Sequence, residues 1–260
     1  MTEPPPAASP DAVVSSEFAK LASDEQIAKA AAALERNGIR SILAATGADA
    51  RRLVDSLLVD AAEVYNNTSQ TLETIGVADD IERSGRYQPL RLRLYRMDRE
   101  MQRREMRALA ASPDYVVGSV HALTEDGSLL IASASGSQLG PLVSGAGQVI
   151  LVIGAQKIVS DVAAGMRRIY EYCYPLEDAR ARQAYGVRSG VNNILIINKL
   201  ITPGRVTAII VKERLGFLSP APGRRAVAQL AGWAGRSRRG GRRPSSRCST
   251  CSIAWNACRE

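Results

Sequence analysis

Short apolar runs alternate with amphipathic stretches through most of the chain. Ser23 and Gln26 form a capping-box pair, Ile27, Ala30, Ala31 and Leu34 recur at helical spacing, and Asn37-Gly38 supplies a stop, which predicts a helix of about four turns. After it the pattern predicts a strand over 39–45, a helix over 48–58, a strand over 62–65 and a helix near 71–75. A long helix is predicted over 95–111, stopped by Ser112-Pro113. Five β-branched or aliphatic runs, 115–120, 128–132, 148–153, 194–197 and 206–211, are bounded by Gly, Asp, Asn or Pro and read as buried strands of one sheet. Between them, 138–143 fits a short helix, and Ser160 is placed to cap a longer one whose Val162, Met166 and Ile169 face the core. Strands alternating with helices in this way predict an α/β fold, a mostly parallel sheet flanked by helices.

The two ends break the pattern. Residues 1–14 are Pro- and Ala-rich without periodicity and read as a flexible leader to a domain over 15–218. Residues 219–260 are rich in Arg, Gly and Ser and read as a disordered tail. The formal charge of +8 lies wholly in that tail, which holds nine Arg and one acid; the remainder carries equal numbers of basic and acidic residues. Nucleic-acid binding is therefore not expected except through the basic tail. The start lacks the features of a signal peptide, and no run is long and apolar enough to span a membrane, so a cytoplasmic location without membrane attachment is expected.

Several chemistries lack their parts. The single histidine, His121, has no nucleophile elbow to serve, and neither a G-x-G-x-x-G nor a complete Walker loop is present. Cys248 and Cys251 form a C-x-x-C without a second pair, and Cys173, between two tyrosines, reads as a small buried residue. No metal or cofactor is expected to bind this chain itself.

Three polar turns remain at predicted strand ends, where open α/β sheets hold their ligands. Asn67, Thr68 and Ser69 follow a strand and open a helix, so they suit a carboxylate or phosphate; helix capping by Thr68 or Ser69 is the simpler account of the same residues. Thr124-Glu-Asp-Gly127 reads as a hairpin turn, and if it faces a cleft Glu125 becomes a nucleophile or general base. In Ser133-Ala-Ser-Gly-Ser-Gln138, Gly136 permits close backbone approach and Gln138 and the hydroxyls offer hydrogen bonds.

The runs Val117-Gly-Ser-Val-His-Ala-Leu-Thr-Glu-Asp-Gly127, Ala134-Ser-Gly-Ser-Gln138, Val149-Ile-Leu-Val-Ile-Gly-Ala-Gln-Lys-Ile-Val159 and Arg167-Arg-Ile169 closely resemble the LUD-domain (lactate utilisation) proteins. So do Asn37-Gly38, Asn67-Thr-Ser-Gln-Thr-Leu72 and Val211-Lys-Glu-Arg-Leu-Gly-Phe217, so the resemblance spans roughly 15–217. It implies a fold like that of sugar-phosphate isomerases and CoA-transferases. It also implies a part in oxidising lactate to pyruvate beside iron–sulfur partner proteins. A small anionic ligand is then expected at Asn67, Thr68, Ser69, Glu125, Gly136 and Gln138, with Lys157 as a positive partner.

In CoA-transferases a Glu-x-Gly turn carries the nucleophile, and Glu125-Asp126-Gly127 is similar. An acyl-CoA transferase or sugar-phosphate isomerase using Glu125 is thus the alternative, and a non-enzymatic assembly subunit a third. The chain departs from many small LUD proteins in having no Cys-rich segment between Glu177 and Asn192.

Overall fold

The computed structural model describes residues 15–217. The leader and the basic tail, with its three cysteines, lie outside these residues.

Helix α1 (Asp24–Arg36) begins at the expected capping box: Ser23 Oγ accepts from the Gln26 N–H, and the Gln26 side chain accepts from the Ser23 N–H. The chain continues through β1 (Arg40–Ala44), α2 (Gly47–Leu57), β2 (Glu63–Asn66), α3 (Gln70–Thr74), α4 (Val77–Arg83) and β3 (Gln88–Pro89). Next come α5 (Leu90–Arg96), α6 (Arg103–Ala111), β4 (Tyr115–Gly118), β5 (Ala122–Thr124), β6 (Leu129–Ser133) and, after a wide helical turn at Pro141–Gly145, β7 (Gln148–Gly154). The last elements are β8 (Ile158–Val159), α7 (Val162–Arg168), a π turn over Ile169–Cys173, α8 (Tyr174–Tyr185), β9 (Asn193–Ile197) and β10 (Val206–Val211).

Six strands form a parallel sheet in the order β1-β10-β7-β4-β2-β3. Both faces are covered, which is why β10 (Val-Thr-Ala-Ile-Ile-Val) is buried at every position and shows no alternation. On one face Val117, Ile150, Val152, Ile209 and Val211 pack with Ala50, Val54, Leu72, Val77 and Ile81 of α2, α3 and α4. On the other, Val116, Val149, Leu151, Ala208 and Ile210 meet α1 and a second sheet.

That second sheet, ordered β8-β5-β6-β9, corrects the expectation of one sheet, because 128–132 and 194–197 pair antiparallel with each other. Its inner face, with Leu123, Leu129, Ile131 and Ile197, joins the central core, while Ala122, Leu130 and Ala132 pack outward on Ile169 and Tyr172. Each strand is therefore apolar on both sides, just as in the parallel sheet, and its membership is set by pairing rather than by hydrophobicity.

Two local expectations are also corrected. The helix over 95–111 is two helices, because Asp98 Oδ1 accepts the N–H groups of Glu100 and Met101 at 2.8 and 3.0 Å and competes with helical bonding. The cap of α7 is Asp161, whose Oδ1 accepts the Ala164 N–H at 2.8 Å; Ser160 donates to Asp161 instead. The short helical turn expected over 138–143 is present, running from Leu139 into a wide turn at Pro141–Gly145. Among the described residues no helix is long and apolar enough to cross a membrane.

Candidate functional site

Strands β2, β4, β7 and β10 run parallel, so their C-terminal ends lie along one edge, and there a cavity of about 250 Å3 opens. The segment after each strand reaches it: Asn67 after β2, Ser119 after β4, Lys157 after β7 and Leu215 after β10. The far wall is built by His121 before β5, by 132–135 at the end of β6, and by Arg168 and Tyr172 behind the second sheet.

Asn67 continues the β2–β4 ladder, donating its backbone N–H to the Val117 carbonyl at 2.9 Å. Its side chain is only 5 % exposed, and neither its amide oxygen nor its amide nitrogen has a protein partner. A buried amide is normally satisfied, so this one is a ready contact for a ligand. Gly118 makes the room: a Cβ there would stand 2.7 Å from Asn67 Nδ2. Gly118→Ala is expected to displace that amide and cost about 1–3 kcal/mol, read as a lower urea midpoint; an unchanged midpoint would show that the contact is slack.

Lys157 is 8 % exposed and donates from Nζ to Thr71 Oγ1 at 2.7 Å and to Ser119 Oγ at 2.8 Å. Burial first, and the charge of Arg168 second, pull its ammonium from 10.5 to about 7. Arg168, 2 % exposed, donates to the His121 carbonyl and to Cys173 Sγ and lies 5.0 Å from the Tyr172 ring centroid. Its Nε has no partner. Among the described residues neither Lys157 nor Arg168 forms an ion pair; the one carboxylate lining the cavity, Glu177, is held by Arg180 at 2.6 Å.

His121 accepts the Ala132 N–H at Nδ1 (3.1 Å), so the neutral ring carries its proton on Nε2. Burial, with Lys157 and Arg168 adding repulsion, holds its pKa down to about 3. The result is a small, polar, positively charged cavity with neutral donors around two buried cations.

Of the residues expected from sequence, Asn67, Thr68, Ser69, Gln138 and Lys157 line this cavity. Ser69 also caps α3, through a long 3.5 Å contact from the Leu72 N–H, so the capping and lining accounts coexist. Gly136 adopts φ +75° and donates its N–H to Ser133 Oγ at 2.9 Å, shaping the loop rather than lining the cavity. Glu125 is not among the lining residues. It sits in the β5–β6 hairpin, where Lys29 and Gln26 of α1 donate to its carboxylate at 2.7 and 2.9 Å and hold its pKa below the usual range. Gly127, at φ +88°, lets that hairpin press on α1: a Cβ there would meet the Leu34 backbone nitrogen at 2.9 Å.

His121, Arg168 and Tyr172 were not expected in the site. The Arg167-Arg168 pair offers little to separate its members in sequence: Arg167 is exposed and pairs with Glu171, while its neighbour is buried.

The family model for the LUD domain matches residues 27–211, which include every lining residue except Leu215, Gly216 and Phe217. A search of curated proteins found no match. Among solved structures, a crystal structure of a DUF162 family protein from Deinococcus radiodurans is similar, at 14% identity and TM-score 0.47, covering 74% of this chain and 99% of that one. With its family model matched across both sheets, this chain belongs to the LUD domain family.

Proposed function

We propose that this protein takes part in lactate utilisation by binding a small monocarboxylate, lactate or its oxidation product, in the strand-end cavity. The observation that carries the reading is the set of buried groups without partners: the Asn67 amide, the Arg168 Nε and two cations with no carboxylate of their own. An unpaired buried charge is costly, and an anion offsets that cost at Lys157 and Arg168 together. A cavity of about 250 Å3 is below the usual range for drug-sized ligands, which favours a ligand of few atoms over a whole CoA thioester. Oxidation of lactate removes two electrons; in this reading they pass to iron–sulfur partner proteins in the cytoplasm, and this chain holds the carboxylate. Family membership supports the lactate assignment, and the placement of Glu125 against α1 lends no support to a covalent carboxylate.

The test is thermal unfolding of the full chain with lactate, pyruvate, chloride, acetyl-CoA and ribose 5-phosphate. A ligand at 100 times its Kd stabilises by about 2.7 kcal/mol, several degrees for a domain of this size. Lactate or pyruvate should shift the midpoint more than chloride does, Asn67→Ala should remove the shift, and Glu125→Gln should keep it. A response to the CoA ester or sugar phosphate alone would replace this reading with the transferase or isomerase alternative.

A further inference from the structure

Of the five lysines in the chain, Lys20, Lys29, Lys199 and Lys212 are exposed, and Lys157 alone is buried. A buried amine is a poor structural choice: Met or Leu fills such a position without desolvating a charge. Lys157 also shares its cavity with a second cation, Arg168, whose charge acts on it, and among the described residues neither has a carboxylate. An amine desolvated next to another cation is an arrangement that makes lysine nucleophilic. We propose that Lys157 captures the carbonyl carbon of a small 2-oxo acid as an imine, while Asn67 and Arg168 hold its carboxylate. This rests on the anion-binding reading above and adds a substrate class, since a 2-hydroxy acid lacks the carbonyl.

The step balances without a further reactant. The Nζ lone pair forms the N–C bond, the carbonyl oxygen takes up the two amine protons and leaves as water, and a C=N bond remains. The surroundings fit this exchange. Ser119 Oγ donates its own proton to the Val152 carbonyl at 2.5 Å, so towards Nζ it only accepts. Thr71 Oγ1 accepts from Nζ, and its hydroxyl proton has no acceptor among the described residues, leaving it to serve the departing oxygen. His121 presents its Nε2–H as a neutral donor that stays unprotonated at the pH where the amine is free. About half of the Lys157 amine is neutral at pH 7, against less than about one part in a thousand for an exposed lysine.

The experiment is incubation of the full-length protein with pyruvate and sodium cyanoborohydride, followed by peptide mass mapping. The reduced adduct is expected on the peptide holding Lys157, at least about tenfold above the four exposed lysines, and faster at pH 8 than at pH 6. Lactate should give none, and Lys157→Arg should lose the adduct at that position. Mapping of the wild-type protein decides the matter even if the variant does not fold. A pyruvate-induced thermal shift without an adduct, or labelling spread evenly over exposed lysines, overturns the imine and leaves the anion site standing. Absence of both shift and adduct overturns both readings.

Discussion

Lys157→Met is expected to make the protein more stable and unable to respond to a carboxylate. In the unfolded chain this amine titrates near its ordinary value of 10.5, whereas in the fold it does so at about 7. Between those values the unfolded state binds the proton that the folded state has lost, so stability rises with pH from about 7 to 10.5 and is lowest below 7. At pH 7 the gross penalty is on the order of 3–4 kcal/mol, partly offset by the hydrogen bonds to Thr71 and Ser119. Replacing the ammonium with a thioether of similar length should therefore gain about 2 kcal/mol at pH 7, or roughly 5 °C in Tm. It should also flatten the rise in urea midpoint between pH 7 and 10, and abolish the lactate or pyruvate shift. A variant less stable than wild type would mean that the amine is paid for by contacts stronger than those two hydroxyls.

His121 should govern the mildly acidic limb. Its folded pKa of about 3 lies below its ordinary 6.5, so the unfolded chain takes up a proton across that window and the folded chain does not. Stability is then lost as pH falls from about 6.5 towards 3, by about 2–3 kcal/mol at pH 4.5. His121→Asn retains an acceptor for the Ala132 N–H without a titrating ring. Its urea midpoint should stay level between pH 6.5 and 4.5 while that of wild type falls. The depressed carboxylates, Glu125 and Asp126 among them, add to acid loss from about pH 4.5 downward in both proteins alike, so the difference between the two curves reports the ring. Parallel curves for the two proteins would show that the ring opens to water in the folded state.

What could be read from sequence follows from which forces act locally. Caps, stops and apolar runs are local, so α1, β7 and β10 appeared almost at their observed bounds. The parallel sheet followed from the alternation of strands and helices, and the strand-end turn at Asn67 from the rule that ligands meet open sheets there. The division into two sheets was not legible, because β6 and β9 carry the same aliphatic runs as β10 and only their partners differ. Glu125 looked chemical by its motif, but the side to which a hairpin turns is decided by what packs beneath it, here Gln26 and Lys29 on α1. Arg168 was legible only as part of a family motif. Its role depends on the π turn after α7, which sets the register of Tyr172 and Cys173 around it, and no residue type announces such a turn.

The position of β10 has a bearing on how the molecule is made. This strand is the last among the described residues, yet it lies inside the sheet, between β1, which lies some 167 residues earlier in the chain, and β7. Until it arrives, β1 has no neighbour in that sheet and β7 offers a bare edge, so a growing chain cannot close its main sheet before residue 211 has been synthesised. Pairing across so long a loop is slow relative to local structure formation, and the apolar edges waiting for it are open to wrong partners. The cavity, which takes a wall from Leu215, Gly216 and Phe217 just after β10, in consequence cannot exist before that strand is in place.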